Sequence, residues 1–155
     1  IMYEDIQLIW QTGVSYYHQA KEETRGMEKF GICVKDFIDR MDYAYAAADI
    51  VVSRAGAIAV SEICVVGKPA ILIPSPNVAE DHQTSNARTL ENRQAAIMLS
   101  DTEARDKLGK TILGLIRDEK MQQRMKVQMA GMSFHQAAAV IAGIAIGMKK
   151  HQSEK

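Results

Sequence analysis

The chain has 155 residues, of which 47% are hydrophobic and 25% charged, with 19 basic and 19 acidic side chains. This length is enough for one domain with a buried core, and the composition is that of an ordinary globular protein. Because the formal charges cancel, no overall field draws the chain to nucleic acid or to an acidic membrane. We therefore expect no nucleic-acid partner.

The two cysteines and the apolar segments bear on the compartment. Cys33 and Cys64 lie inside apolar runs without metal-ligand spacing, so buried free thiols in a reducing compartment are expected. No basic segment followed by an apolar one opens the chain, so no signal peptide is predicted. The longest apolar stretch, residues 137–148, is too short to span a bilayer. These features favour a cytoplasmic location.

Strand and helix patterns alternate along the whole chain. Apolar runs bounded by turn residues predict strands at residues 6–10, 30–34, 50–53, 69–74 and 95–99. Helical spacing predicts helices over residues 16–24, 42–48, 59–66, 82–93 and from 102 onward, with breaks near 118 and 131–133. Gly67 is expected to end one helix, and Ser100 or Asp101 to cap another. The Met-rich stretch 121–132 is interpreted as helix-packing surface.

This alternation indicates an α/β fold, an open parallel sheet with helices on both faces. Short runs of Ile, Val and Leu are typical of strands that are covered on both sides. We find no internal repeat and no low-complexity segment, and a single domain over residues 1–155 is predicted. Ligands of such sheets bind beyond the carboxyl ends of the strands, where three loops lie in this chain.

The loop after the third predicted strand, Ser53-Arg54-Ala55-Gly56, carries the most chemistry. A turn of small residues lets the backbone approach a phosphate, and the free N–H groups of the following helix favour a diphosphate. Glu62 would lie about one and a half turns into that helix, where its carboxylate can accept both hydroxyls of a ribose. The spacing supports equally well a simple tight turn at Gly56 and a solvated Glu62.

The other two loops at this edge are Gln11-Thr12-Gly13 and residues 74–83. In the longer one, helix capping and complementarity to the helix dipole are the first interpretation of Glu80 and Asp81, whereas His82 and Gln83 offer groups for sugar hydroxyls. The other histidines, at positions 18, 135 and 151, have no partners at ligand spacing. Neither a metal site nor a cofactor is predicted, and no Ser/His/Asp or Cys/His arrangement indicates a nucleophile.

Several motifs together resemble the C-terminal domain of the MurG family of N-acetylglucosaminyltransferases. These motifs are Phe37-Ile38-Asp39-Arg40-Met41, residues 45–57, Val60-Ser61-Glu62-Ile63, residues 67–74, Glu80-Asp81-His82-Gln83 and Asn86-Ala87. The similarity covers nearly the whole chain, and the order and spacing of the motifs are specific. It implies the Rossmann-like C-terminal half of a GT-B glycosyltransferase, a class that typically needs no metal.

The resemblance implies ten positions that bind the donor, UDP-N-acetylglucosamine. They are Ile38 at the uracil ring, Thr12 at the phosphates in place of the family's serine, Ala57, Ile58, Ala59, Val60 and Ser61 under the diphosphate, Glu62 at the ribose hydroxyls, and His82 and Gln83 at the sugar hydroxyls. Each role is what the matching family position implies.

The implied function is that of the donor-binding domain of an inverting enzyme that transfers N-acetylglucosamine to lipid I, forming lipid II in peptidoglycan synthesis. The family's first strand and Gly-Gly-Ser-type loop are absent from the sequence. The N-terminal domain that binds lipid I, and that is expected to supply the base and the membrane-facing patch, is absent too. We therefore expect a truncated chain with no catalytic residue of its own. The full-length protein is expected to be peripheral on the cytoplasmic face of the bacterial inner membrane.

Two other functions stay open at this point. One is a stand-alone donor-binding subunit of a split N-acetylglucosaminyltransferase, which would need a partner chain. The other is a non-catalytic nucleotide-sugar-binding module in which Glu62 and Gln83 are structural. Related enzymes, such as UDP-sugar epimerases or glycolipid glucosyltransferases, match these motifs less well.

Overall fold

The computed structural model describes residues 6–76 and 81–132. These residues form two compact units, divided between Ala48 and Asp49, which we call unit 1 and unit 2. Each unit contains parallel strands joined by helices. The predicted α/β class is thereby confirmed, whereas the described strands form a two-stranded and a three-stranded sheet rather than one continuous ladder.

Over residues 6–48, unit 1 contains two strands and two helices. Its elements are β1 (Leu8–Gln11), α1 (Val14–Glu23), a 3₁₀ turn (Glu28–Phe30), β2 (Ile32–Lys35) and α2 (Met41–Ala47). The two strands pair in parallel, with Leu8 opposite Ile32 and Gln11 opposite Lys35. The loops that follow them therefore leave the same edge of the sheet, as the sequence predicts.

The strand β1 is exposed, although short apolar runs are typical of strands that are covered on both sides. Leu8, Ile9 and Trp10 leave 44%, 50% and 40% of their surfaces accessible. Within the described part of unit 1, β1 pairs with β2 alone, and the buried apolar side chains are Ala20 and Val34. This small unit has too little structure of its own to cover a strand whose composition suits a core.

Cys33 also departs from expectation, because its thiol is exposed rather than buried. Successive side chains of a strand point to opposite faces, and the neighbouring Val34 occupies the buried face of β2. Cys64 in unit 2 is buried as expected, and both thiols are free.

Unit 2 contains three strands and four helices among its described residues. They are β3 (Val51–Ser53), α3 (Ala57–Val66), β4 (Ala70–Leu72), α4 (His82–Asn92), β5 (Ala96–Met98), α5 (Asp101–Arg117) and α6 (Glu119–Ala130). The parallel strands lie in the order β3-β4-β5, with Val51 opposite Ala70 and Ala70 opposite Ala96.

The core of unit 2 is built on the central strand, β4, which is wholly buried. Its buried apolar cluster consists of Ile71, Ile73, Leu99, Leu115 and Met125, so helices α5 and α6 both pack against the sheet. Met125 and Met129 are almost fully buried, which confirms the interpretation of the Met-rich stretch as helix-packing surface.

Several helix ends in unit 2 follow the predicted local rules. Gly67 ends α3 in the left-handed conformation, at φ 64°. Ser100 caps α5: its hydroxyl accepts from the Glu103 N–H while the Glu103 carboxylate accepts from Ser100, forming a capping box. The predicted breaks near 118 and 131 are confirmed, since Asp118 separates α5 from α6 and α6 ends at Ala130.

Glu103 gives this helix start a pH dependence. The hydrogen bond from Lys107 and those from Ser100 hold the pKa of the Glu103 carboxyl at about 2, below its ordinary value of 4.5. A depressed folded-state pKa means that the stabilisation is complete above pH 4.5 and is lost as the pH falls toward 2. We expect Glu103→Gln to lower the melting temperature at pH 7, and the difference from wild type to shrink toward zero as the pH approaches 2.

Circular dichroism melts between pH 7 and pH 2 measure this difference. Asp106→Asn, which removes an exposed carboxylate from the same helix, is the matched control and should leave the melting temperature nearly unchanged throughout. If the melting temperature of Glu103→Gln stayed equally far below that of wild type at low pH, the stabilising role assigned to the ionised Glu103 carboxylate would be wrong.

Some predictions fall outside the described residues. These concern residues 77–80 with Glu80, the end of the second break at 133, the histidines at 135 and 151, and the apolar stretch 137–148. In residues 6–76 and 81–132, no helix combines the length and apolarity needed to cross a membrane. The single domain over residues 1–155 stays a prediction.

Candidate functional site

In unit 1, the loops after β1 and β2 are joined by four hydrogen bonds. The backbone N–H groups of Thr12 and Gly13 donate to the carbonyls of Lys35 and Asp36, at 2.9 and 3.1 Å. The Thr12 hydroxyl lies 3.2 Å from the Lys35 carbonyl oxygen and 3.0 Å from that of Gly13. The fourth bond runs from the Ile38 N–H to Oε1 of Gln11, at 2.9 Å. Thr12 and Ile38 thus belong to one bonded loop pair.

These contacts specify what a ligand would have to replace. A hydroxyl has a single proton to donate, and in this structure Thr12 directs it to backbone carbonyls. The Ile38 N–H likewise has an acceptor already, the amide oxygen of Gln11. Phosphate and base carbonyl oxygens are both acceptors, so each would take over an existing protein hydrogen bond.

In unit 2, the loop after β3 leads directly into α3. Gly56 is the N-cap residue, and with no side chain it supplies no capping oxygen. The first hydrogen bond inside the helix runs from the Val60 N–H to the Gly56 carbonyl, at 2.9 Å. In the described parts of the chain, no acceptor lies against the N–H groups of Ala57, Ile58 and Ala59. This helix start can therefore accept an anion.

The remaining predicted residues of α3 lie on its first two turns. Ile58 is 78% exposed, an unusual position for a large apolar side chain. The Ser61 hydroxyl donates to the Ala57 carbonyl at 2.8 Å, as serines within helices commonly do. Glu62 is exposed while the next residue, Ile63, is fully buried, so Glu62 lies on the solvent side of a helix that is anchored in the core.

The loop after β4 is tied to the start of α4 by Gln83. Its side-chain oxygen accepts a hydrogen bond from the Ser75 N–H at 2.9 Å, and the residue is half-buried. His82, the first residue of α4, is exposed. Asp81 precedes the helix but makes no side-chain cap, so the predicted capping by Asp81 is wrong, whereas its complementarity to the helix dipole stays a prediction. Its left-handed backbone, at φ 53° and ψ 24°, is not the extended conformation from which a capping oxygen reaches the helix start.

Three polar residues at this edge carry contacts that the sequence analysis did not assign. Arg54 forms an ion pair with Asp101 at the start of α5. Asn86 donates from Nδ2 to the carbonyl of Ala55 at 3.0 Å. For two of the three a signal existed: Arg54 is the single charge in residues 50–61, and Asn86 lies three residues after Gln83, on the same side of α4.

The ten predicted residues therefore fall into two groups. Thr12 and Ile38 share the bonded loops of unit 1, and the other eight lie on α3 or at the start of α4 in unit 2. Across the described ranges, no group of three or more His, Cys, Asp or Glu side chains is arranged to hold a metal. A cavity of about 300 Å³ lies between β5 and α6, beside Glu91 and Arg124, and none of the ten residues lines it.

Unit 2 has parallel strands and a small-residue turn that leads into an uncapped helix, with a carboxylate farther along that helix. These features fit the Rossmann-like half of a GT-B glycosyltransferase. Sequence comparison supports this class, because the model of the "Glycosyltransferase family 28 C-terminal domain" matches residues 2–141. The chain belongs to glycosyltransferase family 28, within its C-terminal domain.

Named relatives confirm the resemblance to the MurG family. The chain is 50% identical over 133 residues to the UDP-N-acetylglucosamine--N-acetylmuramyl-(pentapeptide) pyrophosphoryl-undecaprenol N-acetylglucosamine transferase of Porphyromonas gingivalis (strain ATCC BAA-308 / W83), covering 86% of this chain and 35% of that protein. A Bacteroides thetaiotaomicron protein of the same name is 46% identical over 139 residues, with coverages of 89% and 37%.

A solved structure confirms the fold. The crystal structure of Acinetobacter baumannii MurG matches with a TM-score of 0.75 and 25% identity, over 90% of this chain and 41% of that chain. The present chain spans only 35–37% of the length of these two curated relatives. What the whole relatives do is therefore transferred to this chain only as a proposal.

Proposed function

We propose that this chain is the donor-binding domain of an inverting N-acetylglucosaminyltransferase, which transfers N-acetylglucosamine from UDP-N-acetylglucosamine to lipid I to give lipid II. The observation that carries the proposal is the start of α3. There the N–H groups of Ala57, Ile58 and Ala59 form an uncapped helix N-terminus, followed by the exposed Glu62. The names of the relatives supply the substrates and the product.

The chemistry assigned to these residues follows from charge. When the sugar leaves, negative charge grows on the β-phosphate of UDP, and the positive end of α3 stabilises it more in the transition state than in the ground state. Glu62 accepts hydrogen bonds from the ribose hydroxyls and orients the nucleotide. His82 and Gln83 contact the sugar hydroxyls, and for Gln83 the bond to Ser75 fixes the side chain in advance.

In unit 1, two hydrogen bonds within the protein would be exchanged for hydrogen bonds to UDP. The Ile38 N–H would leave Oε1 of Gln11 for a carbonyl oxygen of uracil, and the Thr12 hydroxyl would turn from Lys35 toward a phosphate oxygen. Both exchanges replace one bond by another, so neither leaves a donor unsatisfied.

The acceptor, lipid I, is assigned to the N-terminal domain of the longer protein, together with the base that deprotonates its hydroxyl. This chain would then have little or no transferase activity alone. We also assign membrane association mainly to that domain, and the whole enzyme to the cytoplasmic face of the bacterial inner membrane. A reading frame that encodes an acceptor domain upstream of Ile1 would support this assignment over a split two-subunit enzyme.

Calorimetric titration of the chain with UDP, UDP-N-acetylglucosamine and UDP-glucose tests the proposal. We expect saturable binding of UDP and of UDP-N-acetylglucosamine, with ADP as the control nucleotide that does not compete. Failure of UDP and UDP-N-acetylglucosamine to bind at millimolar concentration would contradict a donor site in this chain. Equal binding of ADP and UDP would contradict recognition of the base.

A further inference from the structure

Arg54 connects the carboxyl ends of β3, β4 and β5, the three described strands of unit 2. The residue directly follows β3, and its Nη1 donates to the Asp101 carboxylate, which follows β5 at the start of α5. The same nitrogen lies 3.4 Å from the carbonyl oxygens of Ile73 and Pro74, directly after β4. The guanidinium group of Arg54, a residue at the end of β3, therefore contacts the ends of β4 and β5, which are far apart from it in sequence.

The backbone next to Arg54 is held as well. The Ser53 hydroxyl donates to the Arg54 carbonyl at 2.9 Å, and Asn86 donates to the Ala55 carbonyl at 3.0 Å. Ala55 is completely buried, whereas Gly56 has open space where a side chain would be. The segment that enters α3 is thus fixed at Ala55, and Gly56 continues it as the N-cap residue, whose carbonyl accepts from the Val60 N–H.

From these contacts we propose that Arg54 and Asp101 are a positioning pair for the turn into α3. The inference rests on the proposed function, because it takes that helix start as the diphosphate site. N–H groups that bind a phosphate must be held close to their productive geometry, and the residues that fix the preceding turn supply that order. The Arg54 charge is compensated by Asp101, so in this assignment Arg54 orders the turn and is not itself a phosphate ligand.

The exposure of the pair argues for a local effect. The Arg54 and Asp101 side chains are 56% and 41% exposed, and ion pairs of that exposure contribute little to global stability. Their loss should therefore change the order of the turn more than the melting temperature. A change in ligand binding without a change in melting temperature distinguishes a positioning role from a merely structural one.

The test is a double-mutant cycle with Arg54→Lys, Asp101→Asn and both together. Affinities are measured for UDP by calorimetry and for uridine by ligand-observed NMR. We expect each single variant to bind UDP about tenfold more weakly than wild type does, as for coupled residues. Uridine should bind to each of them as it binds to wild type. The double variant should bind UDP no more weakly than the single variants do, because the two residues act together. Arg105→Lys and Asp106→Asn, exposed on α5, are the matched controls and should bind UDP as wild type does.

Other results would overturn the assignment. Tighter UDP binding by Asp101→Asn would mean that a released Arg54 binds phosphate directly. Equal losses for UDP and uridine, or strictly additive losses in the double variant, would mean that the pair has no specific effect on the diphosphate. Unchanged UDP affinity in every variant would overturn this inference alone. No UDP binding by the wild type would overturn the proposed function and this inference with it.

Discussion

Replacing Leu115 by alanine is expected to lower the free energy of unfolding of unit 2 by about 2–5 kcal/mol, the range for large-to-small changes at buried leucines. Leu115 is 2% exposed and lies in the cluster that joins α5 to Ile71 of the central strand. Truncation removes apolar contacts and leaves a cavity that the packed helix and sheet can fill only partly. Urea denaturation followed by circular dichroism gives the change directly.

Val127→Ala is the matched control, because Val127 is an aliphatic residue of α6 that is 60% exposed. Its effect should stay within about 0.5 kcal/mol, as for most surface substitutions. If Leu115→Ala were as stable as Val127→Ala, the packing of α5 against β4 described above would be wrong.

Glu62→Ala is expected to weaken UDP binding by about 1–3 kcal/mol, the loss of hydrogen bonds to a charged acceptor. This corresponds to roughly a fivefold to 150-fold increase in the dissociation constant. The reason is the proposed contact of the exposed carboxylate with the ribose hydroxyls. Calorimetry with UDP measures the loss, and 2′,3′-dideoxy-UDP identifies its origin. The wild type should discriminate strongly between the two ligands, and the Glu62→Ala variant should not.

Two controls sharpen this second prediction. Glu119→Ala removes an exposed carboxylate at the start of α6 and should bind UDP as wild type does. Glu62→Gln keeps the size of the side chain and loses its charge, so it should bind with intermediate affinity. Wild-type affinity in Glu62→Ala would instead favour a non-catalytic module in which Glu62 is structural.

Features governed by neighbouring residues could be predicted from the sequence. Gly67 ends α3 because glycine adopts the left-handed conformation without strain, and Ser100 caps α5 because Glu103 completes its capping box. The strands β1 to β5 all lie within predicted apolar runs or one residue beyond them. The resemblance of several motifs to known sequences then indicated the family, which local rules alone could not indicate.

What the sequence could not provide depends on distant neighbours. The ion pair between Arg54 and Asp101 joins residues 47 positions apart, and the bond from Ile38 to Gln11 joins residues 27 apart. Both depend on which strand ends meet at one edge of a sheet. The exposure of β1 has the same origin, because an apolar run is buried only if another layer covers it.

Asp81 shows a different limit. An acidic residue directly before a helix favours a cap, yet capping also needs an extended backbone, which Asp81 does not have. Residue type indicates which contacts a side chain is able to make, whereas the backbone conformation of a long loop decides which one it makes. The ligand-binding roles of the ten predicted residues stay predictions for the titrations above to test.

The two thiols offer a chemical means of observing each unit separately. Cys33 in unit 1 is exposed, whereas Cys64 in unit 2 is buried, and that burial raises the pKa of the Cys64 thiol. The thiolate is the nucleophile that attacks an alkylating reagent, so Cys33 is modified in the folded chain and Cys64 only when unit 2 opens. A fluorophore on Cys33 therefore labels the sheet of unit 1 without any engineered cysteine. The rate at which Cys64 is alkylated reports how often unit 2 opens.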